Sequence, residues 1–236
     1  MQAFSRSELL LGAEAMEKLK NARGAVFGLG GVGGYVVEAL ARSGVGALEL
    51  IDHDTISLTN INRQILATHS TLGMTKAAAA KARVLDINPE AEAVAREEFF
   101  CPDTLESFDF SKYTYVVDAV DTVTAKLALV TACQASGVPI ISCMGTGNKR
   151  DPSKFQITDI SKTTVCPLAR IMRKECAKRG IRHLKVLFST EDPITPLKTD
   201  EELPEGRRAL PGSVAYVPSV AGLMIAGEVI KDLTQT

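Results

Sequence analysis

The sequence contains no Cys-x-x-Cys pair, no long apolar run and almost no excess of either charge. A formal net charge of -1 over 236 residues gives no whole-chain reason to expect a nucleic-acid partner, so such a surface would require local clustering. The least charged run, residues 212–227, contains Pro218 and is too short for a membrane span. Five cysteines, an odd number without a signal peptide, predict reduced thiols. We therefore expect a soluble, cytoplasmic protein with no membrane span.

The sequence does contain a cluster of glycines near its start. The apolar residues 24–27 predict a first strand, and residues 35–41 predict a first helix. Between them, Gly28, Gly30 and Gly33 have the Gly-x-Gly-x-x-Gly spacing, which lets a phosphate approach the backbone beside a helix N-terminus. A dehydrogenase, a methyltransferase or a packed turn that binds nothing would use the same glycines, so the motif alone leaves the ligand open.

An acidic group follows the second predicted strand. Residues 47–51 form a short apolar run that leads into Asp52 and Asp54. In doubly wound α/β folds, an acid about 20 residues beyond the glycines hydrogen-bonds the ribose of a nucleotide. Asp52 is therefore predicted to be a ribose ligand rather than a solvated surface acid.

The next loop carries cations that do not suit a dehydrogenase. Residues 54–64 are polar and include Arg63, and Lys76 opens an alanine-rich helix. Two cations directed at one nucleotide suit the charge that develops on a triphosphate during transfer, whereas a dehydrogenase needs a nicotinamide pocket. The simpler interpretations are a surface loop for Arg63 and a solvated first-turn position for Lys76, although a helix N-terminus disfavours lysine.

Later strands bring further polar groups to the same edge of the sheet. Strands are predicted at residues 93–99, 113–117 and 139–143, and the second of them is followed by Asp118 and Asp121. Because Mg²⁺ prefers hard oxygen ligands, we predict that Asp121 holds a magnesium ion on the phosphates. The alternative role for Asp118 is to cap the following helix.

Helices and strands alternate along this part of the chain, which predicts an α/β protein with a Rossmann-like, doubly wound and mainly parallel sheet. We place the nucleotide-binding core, with an N-terminal helical arm at 4–20, in residues 1–150. A small C-terminal α+β extension, residues 151–236, is expected to pack on the same domain. Its predicted elements are strands at 155–159 and 185–188, a helix at 167–179, an acidic loop at 191–205 and an apolar helix at 220–233.

The extension contains a strongly basic segment. Residues 162–185 hold eight lysines and arginines against the single acid Glu175. A solvated helix usually alternates its charges, so a polyanion-binding face is favoured over an ordinary exposed one. The residues expected to bind the polyanion are Lys162, Arg170, Arg173, Lys174, Lys178 and Arg179.

Five motifs, taken in order, resemble the ubiquitin-activating E1-like superfamily. That superfamily includes the bacterial adenylating enzymes that activate molybdopterin and thiamine sulfur carriers. The resemblance covers residues 1–150 and is far more specific than the glycines alone. It rests on residues 28–33, 52–54, 60–64, 73–76 and 118–121.

The resemblance implies an ATP site and a homodimer. In that family an N-terminal arginine crosses the dimer interface to the partner's ATP, and Arg6 fits its sequence setting. The implied catalytic residues are Arg6, Arg63 and Lys76, and Asp121 is the implied magnesium ligand. The residues implied to bind ATP are Gly28, Gly30, Gly31, Gly33, Asp52, Asp54, Asn60, Arg63, Gln64, Lys76 and Asp121.

The C-terminal part resembles the tRNA threonylcarbamoyladenosine dehydratase branch of that superfamily. This second resemblance rests on residues 151–152, 157–163, 166–168, 188–191 and 217–222. It implies that the basic segment binds the anticodon arm of a tRNA whose adenosine carries threonylcarbamoyl. ATP would activate the threonyl carboxylate as an acyl-adenylate, and an internal nucleophile of the modification would then close a ring. Pyrophosphate and AMP are released, and one water is lost overall.

Other functions use the same nucleotide motifs. The first alternative is activation of the C-terminal Gly-Gly of a ubiquitin-like sulfur carrier, although the two Cys-x-x-Cys pairs typical of those enzymes are missing here. A tRNA-binding module without catalysis and a dehydrogenase are the others. A cysteine desulfurase or another sulfur-transfer protein is a further candidate partner. Cys143, at a strand end that faces the site, is a candidate covalent relay, although buried packing is the commoner role of such a residue.

Overall fold

The predicted strands lie side by side in one sheet in the computed structural model, which describes residues 3–197 and 211–235. The order of the seven strands is β3-β2-β1-β4-β5-β7-β6, and within the described residues only the edge strand β6 is antiparallel to its neighbour. The strands are β1 (Arg23–Phe27), β2 (Ala47–Ile51), β3 (Glu92–Arg96), β4 (Tyr115–Asp118), β5 (Ile140–Cys143), β6 (Phe155–Asp159) and β7 (Lys185–Ser189).

Helices cover both faces of this sheet. They are α1 (Ser5–Leu11), α2 (Ala13–Lys20), α3 (Gly33–Arg42), α4 (Lys76–Ile87), α5 (Val123–Ser136), α6 (Pro167–Lys178) and α7 (Tyr216–Thr234). The apolar residues of α2, α3, α4 and α7 join one buried cluster, whereas those of α5 and α6 join clusters on the opposite face.

Neighbouring residues of the central strands point to opposite faces, and both faces are buried. In β1, Val26 packs with the α3 side while Ala25 and Phe27 pack with the α5 side. In β4, Val117 packs with the α3 side and Val116 packs with the α5 side. Because both faces are covered, the strands are short continuous apolar runs rather than alternating ones.

The direction of winding reverses at β1. This strand pairs in parallel with β2 on one side and with β4 on the other. A crevice therefore forms beyond the carboxyl ends of β1 and β4, which is where open α/β sheets bind ligands. The predicted Rossmann-like, doubly wound fold is confirmed.

The N-terminal arm consists of two short helices rather than one. Gly12 lies between α1 and α2 with φ +83°, a conformation that favours glycine and ends the first helix. The second helix buries Ala15 and Leu19, whereas the first buries no residue and leaves Leu9 and Leu10 81% and 86% exposed. The arm is thus anchored by α2, and α1 presents an apolar surface.

The C-terminal part of the chain extends the same sheet. Strand β7 lies between β5 and β6, and α7 packs on α3 and α2. The phenol of Tyr115 in β4 donates to Asp232 of α7 at 2.6 Å, and Lys185 of β7 binds the same carboxylate at 2.7 Å. These bonds tie the last helix to the middle of the sheet. The boundary at residue 150 stays a prediction.

The terminal helix begins at Tyr216 rather than at residue 220. Pro218 lies in its first turn, where the backbone N–H has no partner within the helix and proline is tolerated. Residues 191–197 of the predicted acidic loop contain no helix or strand, and 198–205 lie outside the described residues. In the part of the chain that the structure describes, no helix is long and apolar enough to cross a membrane.

Two glycines of α7 give a matched test of its packing on α3. A Cβ at Gly222 would overlap the carbonyl oxygen of Val32 and lie 2.8 Å from Tyr35 Cβ, whereas a Cβ at Gly227 meets no described atom within 4 Å. We expect Gly222→Ala to lower the free energy of unfolding by about 1–3 kcal/mol through overpacking. Gly227→Ala should raise it by about 0.5–1 kcal/mol through helix propensity. Urea unfolding measures both, and equal stabilities would contradict the close α3–α7 contact.

Candidate active site

A cavity of about 610 Å³ opens beyond the carboxyl ends of β1, β2, β4 and β5. All but one of the residues predicted to bind a nucleotide line it, the exception being Gly33. Their roles stay predictions, but the fold brings them to one space. The lining residues among them are Gly28, Gly30, Gly31, Asp52, Asp54, Asn60, Arg63, Gln64, Lys76 and Asp121.

The glycines of the turn serve different purposes. Gly28 has φ +87°, and a Cβ there would lie 2.7 Å from the Ala119 carbonyl oxygen. A Cβ at Gly33 would overlap the Gly28 carbonyl oxygen, so α3 packs directly on the end of β1. At Gly30, by contrast, only Gln64 Nε2 of the described residues comes within 4 Å, at 3.9 Å. Gly28 and Gly33 are therefore required by the fold, whereas Gly30 keeps space open towards the cavity.

Two backbone N–H groups fix the carboxylate of Asp52. Its Oδ2 accepts from Leu29 N–H at 2.7 Å, and its Oδ1 accepts from Asp54 N–H at 2.8 Å. The residue is 9% exposed and follows β2 directly. Because each carboxylate oxygen can accept a second hydrogen bond, Asp52 can still receive the hydroxyls of a ligand.

Lys76 is the first residue of α4, and only 6% of it is exposed. The side chain of Thr75 caps this helix by accepting from Ala78 N–H at 3.2 Å. The Lys76 ammonium donates to Asp54 Oδ2 at 2.6 Å, and His53 Nε2 lies 3.2 Å from the other oxygen of that carboxylate. A half-exposed acid thus holds a nearly buried ammonium beside the cavity.

Arg63 has no acidic partner among the described residues. Its Nη1 donates to the Thr59 carbonyl at 3.0 Å and to Asn62 Oδ1 at 2.9 Å. Burial without a nearby carboxylate lowers the pKa of the Arg63 guanidinium below its usual value. A half-buried cation of this kind is suited to an anion supplied by a ligand.

Gln64 holds the one buried side-chain N or O atom of the described residues that lacks a hydrogen-bond partner. This atom is Oε1, in a residue that is 6% exposed and lines the cavity. A buried polar atom without a partner costs about 1–3 kcal/mol. The amide can turn either its oxygen or its NH₂ to a ligand, so a nucleotide hydroxyl or phosphate would satisfy it.

Asn60 and Asp121 lie on loops that border the cavity. Asn60 Oδ1 accepts from Ser57 N–H at 3.2 Å, which leaves the amide NH₂ as a donor. Asp121 is exposed on the loop between β4 and α5. Asp118 does not cap the next helix, so that alternative is wrong: α5 begins at Val123 after Thr122.

Asp118 instead forms a fully buried ion pair that sequence reasoning missed. Lys126 Nζ of α5 lies 3.0 Å from Asp118 Oδ1, and both side chains are 0% exposed. The signal in the sequence was that Lys126 is the only charged residue of α5. The pair lies directly behind the loop that carries Asp121.

Arg6 does not reach the cavity of its own chain. It is exposed on α1, next to the apolar surface formed by Leu9 and Leu10. A role at a nucleotide therefore requires a second chain, and it stays a prediction.

The basic segment is partly neutralised. Arg173 is half-buried and donates to the Thr163 carbonyl and hydroxyl at 2.8 and 2.6 Å. Glu175 binds Lys178 and Arg179 at 2.6 and 2.8 Å, and these bonds lower the pKa of its carboxyl to about 2. The remaining predicted cations are exposed, and their side chains make no hydrogen bond or ion pair within the described ranges; they are Lys162, Arg170 and Lys174.

The model of the ThiF family matches residues 4–236 of this sequence. The chain belongs to the ThiF family.

Relatives of this ThiF-family chain include tRNA threonylcarbamoyladenosine dehydratases. The Bacillus subtilis protein of that name is 45% identical over 241 residues, which cover 99% of this chain and 95% of the relative. The Escherichia coli protein is 36% identical over 203 residues, covering 83% and 76%. The structure of E. coli TcdA in complex with ATP superposes with a TM-score of 0.89 at 32% identity, covering 99% of this chain and 94% of that one.

One part of the cavity lining was not predicted as part of the site. It consists of residues 144–148 after β5, together with Leu168 of α6 and residues 211–213. Residues 99 and 100, which follow β3, also border the cavity. Residues 144–148 could have been predicted, because they follow a strand that ends at the same edge of the sheet. Leu168 and residues 211–213 line the cavity only because of tertiary packing, which the sequence pattern does not show.

Cys143 lines this cavity of the ThiF-family fold but is not an activated nucleophile. The residue is 4% exposed, and its thiol donates to the Met144 carbonyl at 3.3 Å. Burial raises the pKa of the Cys143 thiol to about 12. Since only the thiolate attacks, packing is the role that this arrangement supports.

Proposed function

We propose that this protein catalyses the ATP-dependent dehydration of N6-threonylcarbamoyladenosine next to the anticodon of a tRNA. The proposal rests on one cavity, which is lined by the glycine turn, by the half-buried Arg63 and by Gln64. The buried Oε1 of Gln64 has no hydrogen-bond partner among the described residues. Sequence similarity to a threonylcarbamoyladenosine dehydratase over 99% of the chain supports the substrate. TcdA structures in complex with ATP and with AMP support the nucleotide.

The chemistry of the cavity fits ATP. The backbone N–H groups of the glycine turn, at the N-terminus of α3, offer donors to phosphates. Asp52 accepts the ribose hydroxyls, and Ile51 and Phe100 give the adenine an apolar wall beside it. The phosphates then lie on the side of the cavity that holds Arg63 and Lys76.

The reaction proposed is activation of a carboxylate followed by ring closure. The threonyl carboxylate attacks the α-phosphorus of ATP and displaces pyrophosphate, which forms an acyl-adenylate. A nucleophilic atom of the same modification then attacks the acyl carbon, and AMP leaves with one oxygen of the former carboxylate. The nucleophile releases its proton, so the substrate loses the elements of one water.

The chain's own residues would act on charge rather than by covalent attack. Lys76 and Arg63 offset the negative charge that accumulates on the phosphates as the carboxylate attacks. The nucleophile of ring closure belongs to the substrate, so the buried Cys143 thiol is not needed.

The magnesium ion is assigned to Asp121, which lines the cavity on the loop after β4. Asp52, His53 and Asp54 also place ligand atoms within 4.8 Å of one another; Asp52 accepts from two backbone N–H groups, and Asp54 accepts from Lys76. Asp121 supplies an exposed carboxylate oxygen at the phosphate side of the cavity, of the kind Mg²⁺ prefers. Magnesium bound there would offset charge on the departing pyrophosphate.

Mass spectrometry of the substrate tests the function. We expect purified protein, ATP and Mg²⁺ to convert threonylcarbamoyl-modified tRNA to a nucleoside lighter by one water, in a work-up free of amines and mild base. Lys76→Ala should lower this rate at least about 100-fold, because the charge on the phosphates loses its main counter-ion. Lys81→Ala, at an exposed lysine of the same helix, is the matched control and should keep the parent rate.

An unchanged nucleoside despite normal ATP binding would refute the proposal. The alternative substrate would then be the Gly-Gly terminus of a sulfur carrier, tested by ATP–pyrophosphate exchange. A molybdopterin-synthase adenylyltransferase of Salmonella typhimurium is 35% identical, but over only 60% of this chain. That partial coverage favours the tRNA substrate.

The tRNA is proposed to lie along the exposed cations of the basic segment. Leu168 of α6 lines the cavity, and Arg170 and Lys174 follow it on the same helix. Lys162 precedes the helix and is also exposed. Arg173 is held against Thr163, and Glu175 already neutralises part of the charge at the end of α6. Phosphate binding is therefore assigned to Lys162, Arg170 and Lys174.

Charge reversal tests this assignment. Arg170→Glu combined with Lys174→Glu should weaken tRNA binding at least about tenfold and reduce the slope of log K against log salt by about two. Lys20→Glu combined with Lys81→Glu makes the same change in net charge at exposed lysines elsewhere, and should leave both quantities unchanged. ATP affinity should stay constant in both variants. Equal losses of tRNA binding would mean that net charge, and not this surface, decides.

A homodimer is proposed to complete each site with Arg6 of the partner chain. The exposed Leu9 and Leu10 on the same short helix support a buried contact there. Mixed dimers test it: Arg6→Ala and Lys76→Ala protomers are each expected to be inactive alone. Mixing them in equal amounts should recover about a quarter of the parent activity, because half the dimers then hold one complete site. No recovery would show that Arg6 does not act across an interface.

A further inference from the structure

The ammonium of Lys126 joins the carboxyl ends of two neighbouring strands, and the loops after both strands line the cavity. The residue is 0% exposed in α5. Its Nζ donates to Asp118 at 3.0 and 3.1 Å, and Asp118 is the last residue of β4. It also donates to the Cys143 carbonyl at 2.7 Å, and Cys143 is the last residue of β5. One side chain therefore bonds to both strands at their carboxyl ends.

The bonds of Asp118 extend this network into the loop beyond β4. Its Oδ1 accepts from Val120 N–H at 3.2 Å, and its Oδ2 accepts from the hydroxyl of Ser142, which is also 0% exposed. Residues 119–122 of that loop line the cavity, and Ala119 contacts the glycine turn. The orientation of the loop that bears Asp121 thus depends on a carboxylate held by Lys126.

The carbonyl held by Lys126 leads into the other loop. Met144 follows Cys143 directly, and residues 144–148 line the cavity. In the proposed reaction, the nucleotide lies against 119–122 and the glycine turn, and the threonyl carboxylate approaches from the side of 144–148. The separation of the two loops then sets the distance between carboxylate and α-phosphorus.

A buried ion pair is a poor means of stabilising a fold. Desolvation of the two charges offsets their attraction, and apolar replacements of similar volume are often neutral or stabilising. The pair does fix the relative positions of the groups around it, because one ammonium binds several acceptors and holds them in a single arrangement.

We propose that Lys126 is a positioning residue, which holds the loop 119–122 and the loop 144–148 at the separation that adenylation requires. The inference rests on the proposed function and adds to it a residue that touches neither ATP nor tRNA. Misplacement of reacting groups by about 1 Å can cost roughly 100-fold in rate, so a fixed separation matters more for turnover than for ATP affinity.

The test replaces the pair without leaving a buried charge. In Asp118→Asn/Lys126→Met, the asparagine can still accept from Val120 N–H and methionine keeps most of the lysine volume. We expect a folded protein with an ATP Kd within about twofold of the parent and AMP formation from saturating modified tRNA at least about tenfold slower. Amide hydrogen exchange should rise in 119–122 and 144–148 but not in α7.

Lys81→Met makes the same lysine change on the exposed face of α4 and should match the parent in every measurement. A folded double variant with the parent rate and parent exchange in both loops would overturn the proposal. If the double variant does not fold, Ser142→Ala removes only the hydroxyl that binds Asp118. The same effects are then expected at about threefold in rate, and parent-like rate and exchange would again overturn the proposal.

The dehydratase function and the positioning role of Lys126 can be refuted independently. A parent protein that forms no AMP from modified tRNA would refute the dehydratase function. The exchange comparison between parent and double variant would still decide whether Lys126 holds the two loops.

Discussion

The backbone contact between the glycine turn and the end of β4 controls the geometry of the site. A Cβ at Gly28 would lie 2.7 Å from the Ala119 carbonyl oxygen, and Ala119 N–H donates to the Phe27 carbonyl at 2.8 Å. Because no side chain separates the two segments, β1 and β4 end side by side and α3 begins at the crevice between them. Asp52 at the end of β2 then reaches Leu29 N–H. The same contact thus sets the place of the turn, of the acid and of the loop beyond β4.

The charged side chains of this protein indicate ligand-binding surfaces only after those that are bound to other protein groups have been set aside. The sequence places eight cations between residues 162 and 185, yet Arg173 binds Thr163 and Glu175 binds two more. Lys126, outside that segment, is fully buried and paired with Asp118. Arg63 is half-buried with no acid of the described residues beside it, which is costly unless a ligand supplies the anion. The groups that lack protein partners mark ligand surfaces better than the total charge does.

The sequence was sufficient for the features that follow from strand order and local spacing. Strand β2 and the starts of β6, β7 and α6 lie at the predicted residues, and the glycine turn and Asp52 converge because parallel strands end at one edge. The sequence was insufficient where a side chain could bind any of several partners. Asp118 binds Lys126 instead of capping α5, and Arg173 turns towards Thr163, because burial and distant neighbours decide such pairings.

The lining of the cavity comes from different parts of the chain. The glycine turn, Asp52 and Lys76 lie on or beside β1, β2 and α4, in the first half of the chain. The remaining lining includes Leu168 of α6, residues 211–213 and the end of β5, which pairs with β7 from the C-terminal part. The residues proposed to bind the nucleotide and those of the C-terminal part of the lining are therefore separate in the sequence and meet only in the folded protein. Since Lys126 bonds to the last residues of β4 and β5, it connects the loop that bears Asp121 to the strand that pairs with the C-terminal part.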